Sequence, residues 1–284
     1  MVKSQQNLLN LIKNPTSAGY APQRLLIEDT LKDLLPPPTT TLARAMAFAT
    51  LGGGKRLRTL MVLESAAAFG VPQSQALKVG AAVEIIHSYS LIHDDLPAMD
   101  NADLRRGKPT IHRQFDEATA ILAGDALIPL AFEIFSDPKT HPSPEVRLHL
   151  ITSLSRAIGA EGLVIGQMRD LEREGKTESH SDLLQVSLGK TGALFGFSTE
   201  AGGILGGASV EDLQNLRKFG ELYGIAFQIQ DDLLDVEVSS VVSGKTTGRD
   251  EALNKTTFVS ALGIEGARKE FENLITQAKK IISD

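Results

Sequence analysis

The sequence of 284 residues contains no cysteine, and this absence excludes disulfide bonds, thiolate metal sites and a cysteine nucleophile. Its first residues, MVKSQQNLLNLIKN, lack the apolar run and the small-residue cleavage site of a secretory signal peptide. No stretch approaches the roughly 18 uncharged apolar residues of a membrane span. We therefore expect a cytoplasmic protein that does not insert into a membrane.

Further absences narrow the class of function. A formal net charge of −6 disfavours general nucleic-acid binding, which needs a basic surface. The sequence contains no HExxH zinc pattern, and no Ser/His/Asp triad stands beside its acidic clusters, so covalent catalysis is not indicated. The segment SGKTT at 243–247 resembles the end of a P-loop, but Ser239 stands where that motif needs glycine. A nucleotide-binding fold is therefore excluded.

The spacing of apolar residues predicts helices along nearly the whole chain. Val79, Val83 and Ile86 recur at intervals of three and four, and no sustained alternation with the period of a strand occurs. Glycines between Gly189 and Gly207 predict close approach of a helix or a ligand, or a break near residue 202. We expect one all-α domain over 1–284. The predicted helices span 22–34, 40–51, 56–69, 74–96, 114–135, 144–159, 161–173, 181–205, 209–238 and 264–282.

The first acidic cluster, HDDLPAMD, covers residues 93–100 at the end of a predicted helix. Carboxylates at a helix C-terminus oppose the macrodipole unless a cation is bound. On an unbroken helix Asp94 and Asp100 would point about 120° apart, so Pro97 must bend the backbone if both face one ion. The alternative is a solvated helix end.

The second cluster places Asp231 and Asp235 four residues apart, on one helix face and about 6 Å from each other, with Gln228 one turn earlier. Carboxylate oxygens, completed by water and substrate phosphate, are the ligands that magnesium prefers. Two such clusters accompanied by separate basic motifs indicate a diphosphate held among several metal ions.

The basic motifs would bind the anions. GGGKRLR at 52–58 places a close-approach glycine backbone before a helix start, where amide groups favour anions, and Lys55 and Arg58 share a face of that helix. Arg105 and Arg106 follow the first acidic cluster, and guanidinium forks bind phosphate oxygens in pairs. Each motif alone is typical of a surface patch; beside carboxylates they predict diphosphate binding.

Together these segments resemble the short-chain trans-isoprenyl diphosphate synthases, or polyprenyl synthetases, and within them the bacterial enzymes that make farnesyl diphosphate. The resemblance runs from about Leu51 to Gly263 and implies a bundle of ten or more helices around a deep cavity, usually as a homodimer. The chain departs from the family at Ala102, where many relatives are acidic, and at 236–243, which lacks a common Gly-Asp pair. The matching motifs are GGGKRLR, HSYSLIHDDLPAMD, LRRGKPT, GDAL, the KTGALF segment and FQIQDDLLD.

The resemblance also implies roles for individual residues. The diphosphate of isopentenyl diphosphate would be held by Lys55, Arg58, His87 and Arg106. The allylic diphosphate would contact Arg105, Lys190, Thr191, Gln228, Lys245 and Lys255. Three magnesium ions, with manganese as an alternative, would be bound by Asp94, Asp100 and Asp231, with direct or water-mediated support from Asp95, Asp232 and Asp235. The catalytic set would be Arg105, Lys190, Thr191 and Gln228.

The implied reaction is ionisation of an allylic diphosphate, condensation with isopentenyl diphosphate and elimination of a proton. Tyr89 and Ser90 stand five and four residues before Asp94, or about 6 to 8 Å along the helix. An aromatic residue at this depth resembles the floor that stops growth at fifteen carbons, so farnesyl diphosphate is the expected product. Tyr89 could instead be an ordinary core residue. Products of ten or twenty carbons, a terpene cyclase, a non-catalytic subunit and a structural bundle are the alternatives.

Overall fold

The computed structural model describes Leu8, Leu11 and residues 17–173, 175–176, 179–241 and 256–283, with the backbone alone for 237–241 and 283. The chain divides into two compact units. The first comprises Met1–Ile151 and Ala201–Ala208, and the second comprises Thr152–Glu200 and Ser209–Asp284. The single domain expected over 1–284 stays a prediction.

Helices account for most of the described residues, which confirms the all-α class. A short 3₁₀ turn, Ala18–Tyr20, precedes the first of them, and two two-residue strands, β1 (Leu104–Arg105) and β2 (Lys108–Pro109), pair antiparallel. The α-helices are α1 (Ala21–Leu34), α2 (Thr41–Thr50), α3 (Leu57–Ala68), α4 (Gln73–Asp94), α5 (Ile111–Gln114), α6 (Glu117–Ser136), α7 (Pro144–Ile158), α8 (Leu163–Glu172), α9 (His180–Ser187), α10 (Ala193–Leu205), α11 (Val210–Val241) and α12 (Phe258–Ser283).

Three predicted helices differ from the observed ones. The helix predicted at 181–205 is divided into α9 and α10 by a π-helical segment, Leu188–Gly192. The last helix begins at Phe258, six residues earlier than predicted. The chain kinks at Gly263 (φ 70°), and the residues on both sides of this kink are helical. The helix predicted from 114 begins at Glu117, where Asp116 caps it by accepting a hydrogen bond from the Thr119 amide.

The glycines near the end of α10 allow close packing of helices, which confirms the prediction of close approach. A Cβ atom at Gly202 would lie 2.1 Å from Oγ of Ser65, so α3 and α10 approach within a distance that only glycine permits. The alternative prediction, a break near 202, is wrong, because the helix runs without interruption from Ala193 to Leu205.

In the first unit, α4 is the central helix, with buried side chains around its whole circumference. It packs against α3 and α6, and its C-terminal turns carry the first acidic cluster. In the second unit, α11 packs along α12 and carries the second cluster. Each acidic cluster is therefore presented by a long helix that its own unit holds in place.

Two helical stretches among the described residues are long and apolar enough to cross a membrane by length and composition. They are Glu117–Ser136, with mean hydropathy 1.7, and Pro144–Glu172, with mean hydropathy 1.2. In each, 39% of the apolar window is buried within the protein. The core helix of a soluble protein meets the same criterion, so one or two such stretches are weak evidence for a membrane span.

Candidate active site

The first acidic cluster folds back on itself at the end of α4. The helix stops at Asp94, and the Met99 amide donates to the Leu96 carbonyl (2.9 Å), closing a turn around Pro97. The Asp100 amide then donates to the Asp94 carbonyl at 2.9 Å. The bend predicted at Pro97 is thus present, and it brings the backbone of Asp100 beside that of Asp94.

Asp95, next to Asp94, forms a hydrogen-bonded ion pair with Arg105. Nε of Arg105 lies 2.9 and 2.8 Å from the two oxygens of Asp95, and Nη2 lies 2.7 Å from Oδ1. The same Nη2 is 3.6 Å from Asp94. Burial would lower the pKa of Arg105, but the hydrogen bonds and charge of Asp95 and the charges of Asp94 and Asp100 raise it above its usual value. The β1–β2 hairpin therefore fixes a cation beside the predicted metal ligands.

The glycine loop before α3 is held in an unusual backbone conformation. Gly53 and Gly54 have φ values of 86° and 134°, which only glycine adopts without strain. Arg106 donates to the Gly53 carbonyl, and Nε of Arg24 donates to the Lys55 carbonyl at 3.3 Å. The loop is therefore fastened by two arginines from other elements, and the Lys55 side chain is exposed. The predicted helical face shared by Lys55 and Arg58 is wrong, because α3 begins at Leu57 after Arg56 in the left-handed conformation (φ 53°).

Arg56 in the same loop forms buried ion pairs that hold the loop in place. Its guanidinium group, with the side chain only 2% exposed, lies 2.7 Å from Glu28 and 3.2 Å from Glu84. It also donates to the Thr50 carbonyl at 2.8 Å. Buried charges persist when they are paired and hydrogen-bonded in this way. Of the three cations in GGGKRLR, Arg56 thus ties the loop to α1 and α4.

We predict that Gly54→Ala impairs the loop more than a backbone effect alone would. A Cβ atom there would lie 2.7 Å from Nη1 of Arg106, on top of the strain of its positive φ, about 1–2 kcal/mol. The KM for isopentenyl diphosphate, measured by steady-state kinetics, should rise about tenfold, as for loss of one hydrogen bond to a charged group. Gly70→Ala is the matched control, since Gly70 has φ 72° and open space around it. Equal kinetic effects of the two substitutions would contradict this account.

His87 lies in a strongly electropositive part of the first unit. Burial, followed by the charges of Arg58, Arg106, Arg105 and Arg56, holds the pKa of His87 well below its usual range. The imidazole is therefore neutral at neutral pH, and the surrounding guanidinium groups favour an anion. The first unit thus brings together His87, Arg58 and Arg106, three of the residues predicted to bind isopentenyl diphosphate.

A pocket in the first unit joins these cations to apolar surface. Its cavity volume is about 50 Å³, which is well below that of a drug-sized ligand site. Its polar side is formed by Arg105, Arg106 and Lys108 together with Asp95, Ser88 and Thr110. Its apolar lining includes Phe48, Leu91, Ile92 and Ile111. The pocket therefore places apolar side chains directly beside the guanidinium group of Arg106.

The two residues predicted to set product length lie on different faces of α4. Ser90 points about 40° from Asp94 around the helix, whereas Tyr89 points about 140° away. Tyr89 is 6% exposed and packs edge-on against His93, with ring centroids 5.8 Å apart. A Cβ atom at Gly124 would meet the His93 ring at 2.1 Å, which explains the glycine of the GDAL motif. The roles of Tyr89 and Ser90 stay predictions.

The second acidic cluster also divides into two kinds of carboxylate. Asp231 and Asp235 lie on one face of α11, as predicted. Asp232 is buried, and it accepts hydrogen bonds from Nε2 of Gln228 (3.0 Å) and from the backbone amide of Phe258 (2.9 Å). Asp232 therefore anchors the start of α12. It also orients Gln228 so that the amide oxygen is the end able to stabilise a cation.

Lys190 and Thr191 lie in the π-helical segment, a type of irregularity that is frequent at functional sites. Nζ of Lys190 donates to Asp170 at 2.7 Å. Asp170 was not singled out in the sequence, because its partner stands twenty residues away and one aspartate in an apolar helix has no signature. Lys245 and Lys255 lie outside the described residues. Within the described ranges, no three acidic or histidine side chains form a metal cage.

Comparisons with known proteins agree with the resemblance. Residues 39–283 match the family model described as polyprenyl synthetase. The chain is 45% identical to farnesyl diphosphate synthase of Geobacillus stearothermophilus, covering 84% of this chain and 81% of that protein. It is 42% identical to chloroplastic geranylgeranyl pyrophosphate synthase of Catharanthus roseus, covering 84% and 68%.

Solved structures give the same result. An FPP/GFPP synthase from Zymomonas mobilis matches with a TM-score of 0.81 and 41% identity, covering 100% of this chain and 94% of that one. A geranyltransferase from Helicobacter pylori, complexed with magnesium and isoprenyl diphosphate, matches with a TM-score of 0.77 and 34% identity, covering 94% and 91%. Both sequence identities are high enough to indicate a shared family as well as a shared fold.

Proposed function

Because this chain belongs to the polyprenyl synthetase family, we propose that it condenses isopentenyl diphosphate head to tail with dimethylallyl and then geranyl diphosphate, giving farnesyl diphosphate. One observation carries the proposal: each unit presents carboxylates for metal together with cations for a diphosphate. A protein that bound a single phosphate group would have no use for both sets. The closer identity to farnesyl than to geranylgeranyl relatives supports a fifteen-carbon product.

Isopentenyl diphosphate is the substrate of the first unit. Lys55, Arg58 and Arg106 supply positive charge to its diphosphate, and neutral His87 supplies one N–H donor. The guanidinium groups bind phosphate oxygens through paired hydrogen bonds. Apolar side chains, among them Phe48 and Leu91, lie beside Arg106, and the five-carbon chain would lie against them.

The allylic diphosphate would bind through metal ions held by the aspartates and through the remaining cations. Asp94, Asp100 and Asp231 fit magnesium, which binds proteins through few carboxylates and completes its shell with water and substrate phosphate. Three bound magnesium ions, or manganese in their place, would neutralise the leaving diphosphate. Lys190 and Arg105 contribute to the same neutralisation.

The bond changes are balanced without a protein base. The bond between C1 and oxygen of the allylic diphosphate breaks, and the diphosphate leaves with the electron pair. The double bond of isopentenyl diphosphate supplies the pair for the new bond from its C4 to C1, and the released diphosphate accepts the proton lost from C2. The hydroxyl oxygen of Thr191 and the amide oxygen of Gln228 stabilise the cation, because dipoles aimed at developing charge lower the barrier.

A direct experiment tests this function. The purified protein is incubated with isopentenyl and dimethylallyl diphosphates, with and without magnesium, and the products are resolved by mass spectrometry. We expect a fifteen-carbon diphosphate that forms only with magnesium. A mixture with no condensation product at all would refute the proposal.

We predict that Tyr89→Ala lengthens the product beyond fifteen carbons. Removing the ring opens space beside α4, about five residues below Asp94, where a growing chain of fifteen carbons would end. The measurement is the chain-length distribution by mass spectrometry. Phe135→Ala, which empties a fully buried aromatic site on α6, is the control for a general loosening of the unit. An unchanged fifteen-carbon product from Tyr89→Ala would show that another element sets the length.

We also propose that the protein is cytoplasmic and works as a homodimer. The outer face of α6 supports this, because Ile121 and Leu122 are 45% and 56% exposed on a helix of mean hydropathy 1.7. Contiguous apolar surface of this kind marks an interface. Leu122→Asp should convert a dimer into monomers in light scattering, whereas Val210→Asp, at a single apolar residue 73% exposed at the start of α11, should not. A wild-type protein that is monomeric at micromolar concentration would contradict this part of the proposal.

A further inference from the structure

Lys190 has a backbone that is fixed by an unusually close contact within the second unit. A Cβ atom at Gly166 would lie 2.1 Å from the Lys190 amide nitrogen, and one at Gly189 would lie 2.8 Å from the Gly166 Cα. Helix α8 therefore presses its backbone directly against the π-helical segment. The start of the Lys190 side chain is held by this contact, independently of any substrate.

The far end of the same side chain is held by Asp170, which stands one turn after Gly166 on α8. The Asp170 side chain is 5% exposed. Its Oδ2 accepts a hydrogen bond from Nζ of Lys190 at 2.7 Å, and its Oδ1 forms an ion pair with Nε of Arg173 at 2.9 Å. Charge-assisted hydrogen bonds of this length are the stronger kind. Asp170 therefore contacts both Lys190 and Arg173 within the second unit.

We propose that Asp170 is a positioning residue that holds the ammonium group of Lys190 ready for the allylic diphosphate; this inference rests on the proposed function. A lysine side chain has many rotamers, and ordering it reduces the affinity for a ligand. Asp170 orders Lys190 before the substrate arrives, and Arg173 keeps Asp170 in place. The Lys190 side chain is 28% exposed, so it remains open to a ligand while Asp170 is not.

The test is a double-mutant cycle between Asp170→Asn and Lys190→Met. Asp170→Asn should raise the KM for dimethylallyl diphosphate about tenfold, the scale of one lost hydrogen bond to a charged group, and leave the KM for isopentenyl diphosphate within about twofold. With Lys190→Met already present, Asp170→Asn should add less than a further twofold change. Fully additive effects, or equal changes in both KM values, would overturn the proposal.

Controls separate positioning from stability. Asp182→Asn changes an exposed aspartate of the same unit that caps α9 through Ser179, and it should leave both KM values unchanged. If Asp170→Asn does not fold, Asp170→Glu keeps the charge but displaces it by one methylene group. This variant should melt close to the wild type and still raise the allylic KM several-fold; an unchanged KM would overturn the proposal.

The outcome can be told apart from a failure of the proposed function. If the wild-type protein forms no condensation product, the function fails by itself, and the cycle is then measured as the affinity for inorganic pyrophosphate with magnesium, by calorimetry. Each single variant should weaken that binding by a similar factor, and the double variant no further. Pyrophosphate affinity unchanged by Asp170→Asn would refute the positioning role.

Discussion

Asp231→Ala should lower kcat/KM for condensation by about a thousandfold while leaving the melting temperature near that of the wild type. The carboxylate is proposed to bind metal at the leaving diphosphate, and removing one electrostatic contributor of this kind from an active site costs about 10²–10³ in rate. Its stability should hold, because two carboxylates at Asp231 and Asp235 repel each other on a bare helix. Kinetics and thermal unfolding of the same preparation measure both quantities.

The adjacent residue provides a matched comparison. Asp232→Ala removes the acceptor for the Phe258 amide, and leaving a buried donor unsatisfied costs about 1–3 kcal/mol. This variant should therefore unfold more easily than Asp231→Ala and lose less activity. The division between the two aspartates would be wrong if Asp231→Ala kept more than a tenth of the activity, or if both variants had equal melting temperatures.

Arg56→Ala should reduce the free energy of unfolding by about 3–5 kcal/mol, the scale measured when one partner of a buried ion pair is removed. The substitution leaves Glu84, with its side chain only 4% exposed, without its cation, and it also removes the partner of Glu28. The loop before α3 would lose its tie to α1 and α4. Urea unfolding followed by circular dichroism gives the change.

The control is the preceding residue in the chain. Lys55→Met removes an exposed cation, so its free energy of unfolding should change by less than about 0.5 kcal/mol. Its KM for isopentenyl diphosphate should rise, because Lys55 is proposed to bind that diphosphate. A loss of stability in Lys55→Met equal to that in Arg56→Ala would show that the structure has assigned the two cations wrongly.

Local spacing was enough to predict the helical class and the shape of the second acidic cluster. Asp231 and Asp235 share a face because the helical repeat is a local property. The bend at Pro97 was equally local, since proline restricts its own backbone and that of its neighbour. The two-residue strands that place Arg105 were missed, because strands this short leave no periodic pattern.

Local spacing alone could not divide neighbours of the same charge between structure and chemistry; only the resemblance to the family made that division. Asp94 and Asp95 differ because Asp95 meets Arg105 across the hairpin. Lys55 and Arg56 differ because Arg56 meets Glu28 and Glu84. These partners stand ten residues away for Asp95 and 28 residues away for Arg56, and only the packing of the chain decides which residue they reach. The same is true of Asp170, whose position beneath Lys190 depends on the glycine contact between α8 and the π-helical segment.

One diphosphate is expected to leave while the other is kept, and the stoichiometry of pyrophosphate release measures this. Inorganic pyrophosphate is measured in the presence of magnesium with geranyl diphosphate alone, with isopentenyl diphosphate alone and with both. We predict release only when both are present, with one pyrophosphate for each isopentenyl diphosphate consumed. Release from geranyl diphosphate alone, accompanied by a cyclic hydrocarbon, would contradict the account and indicate a cyclase.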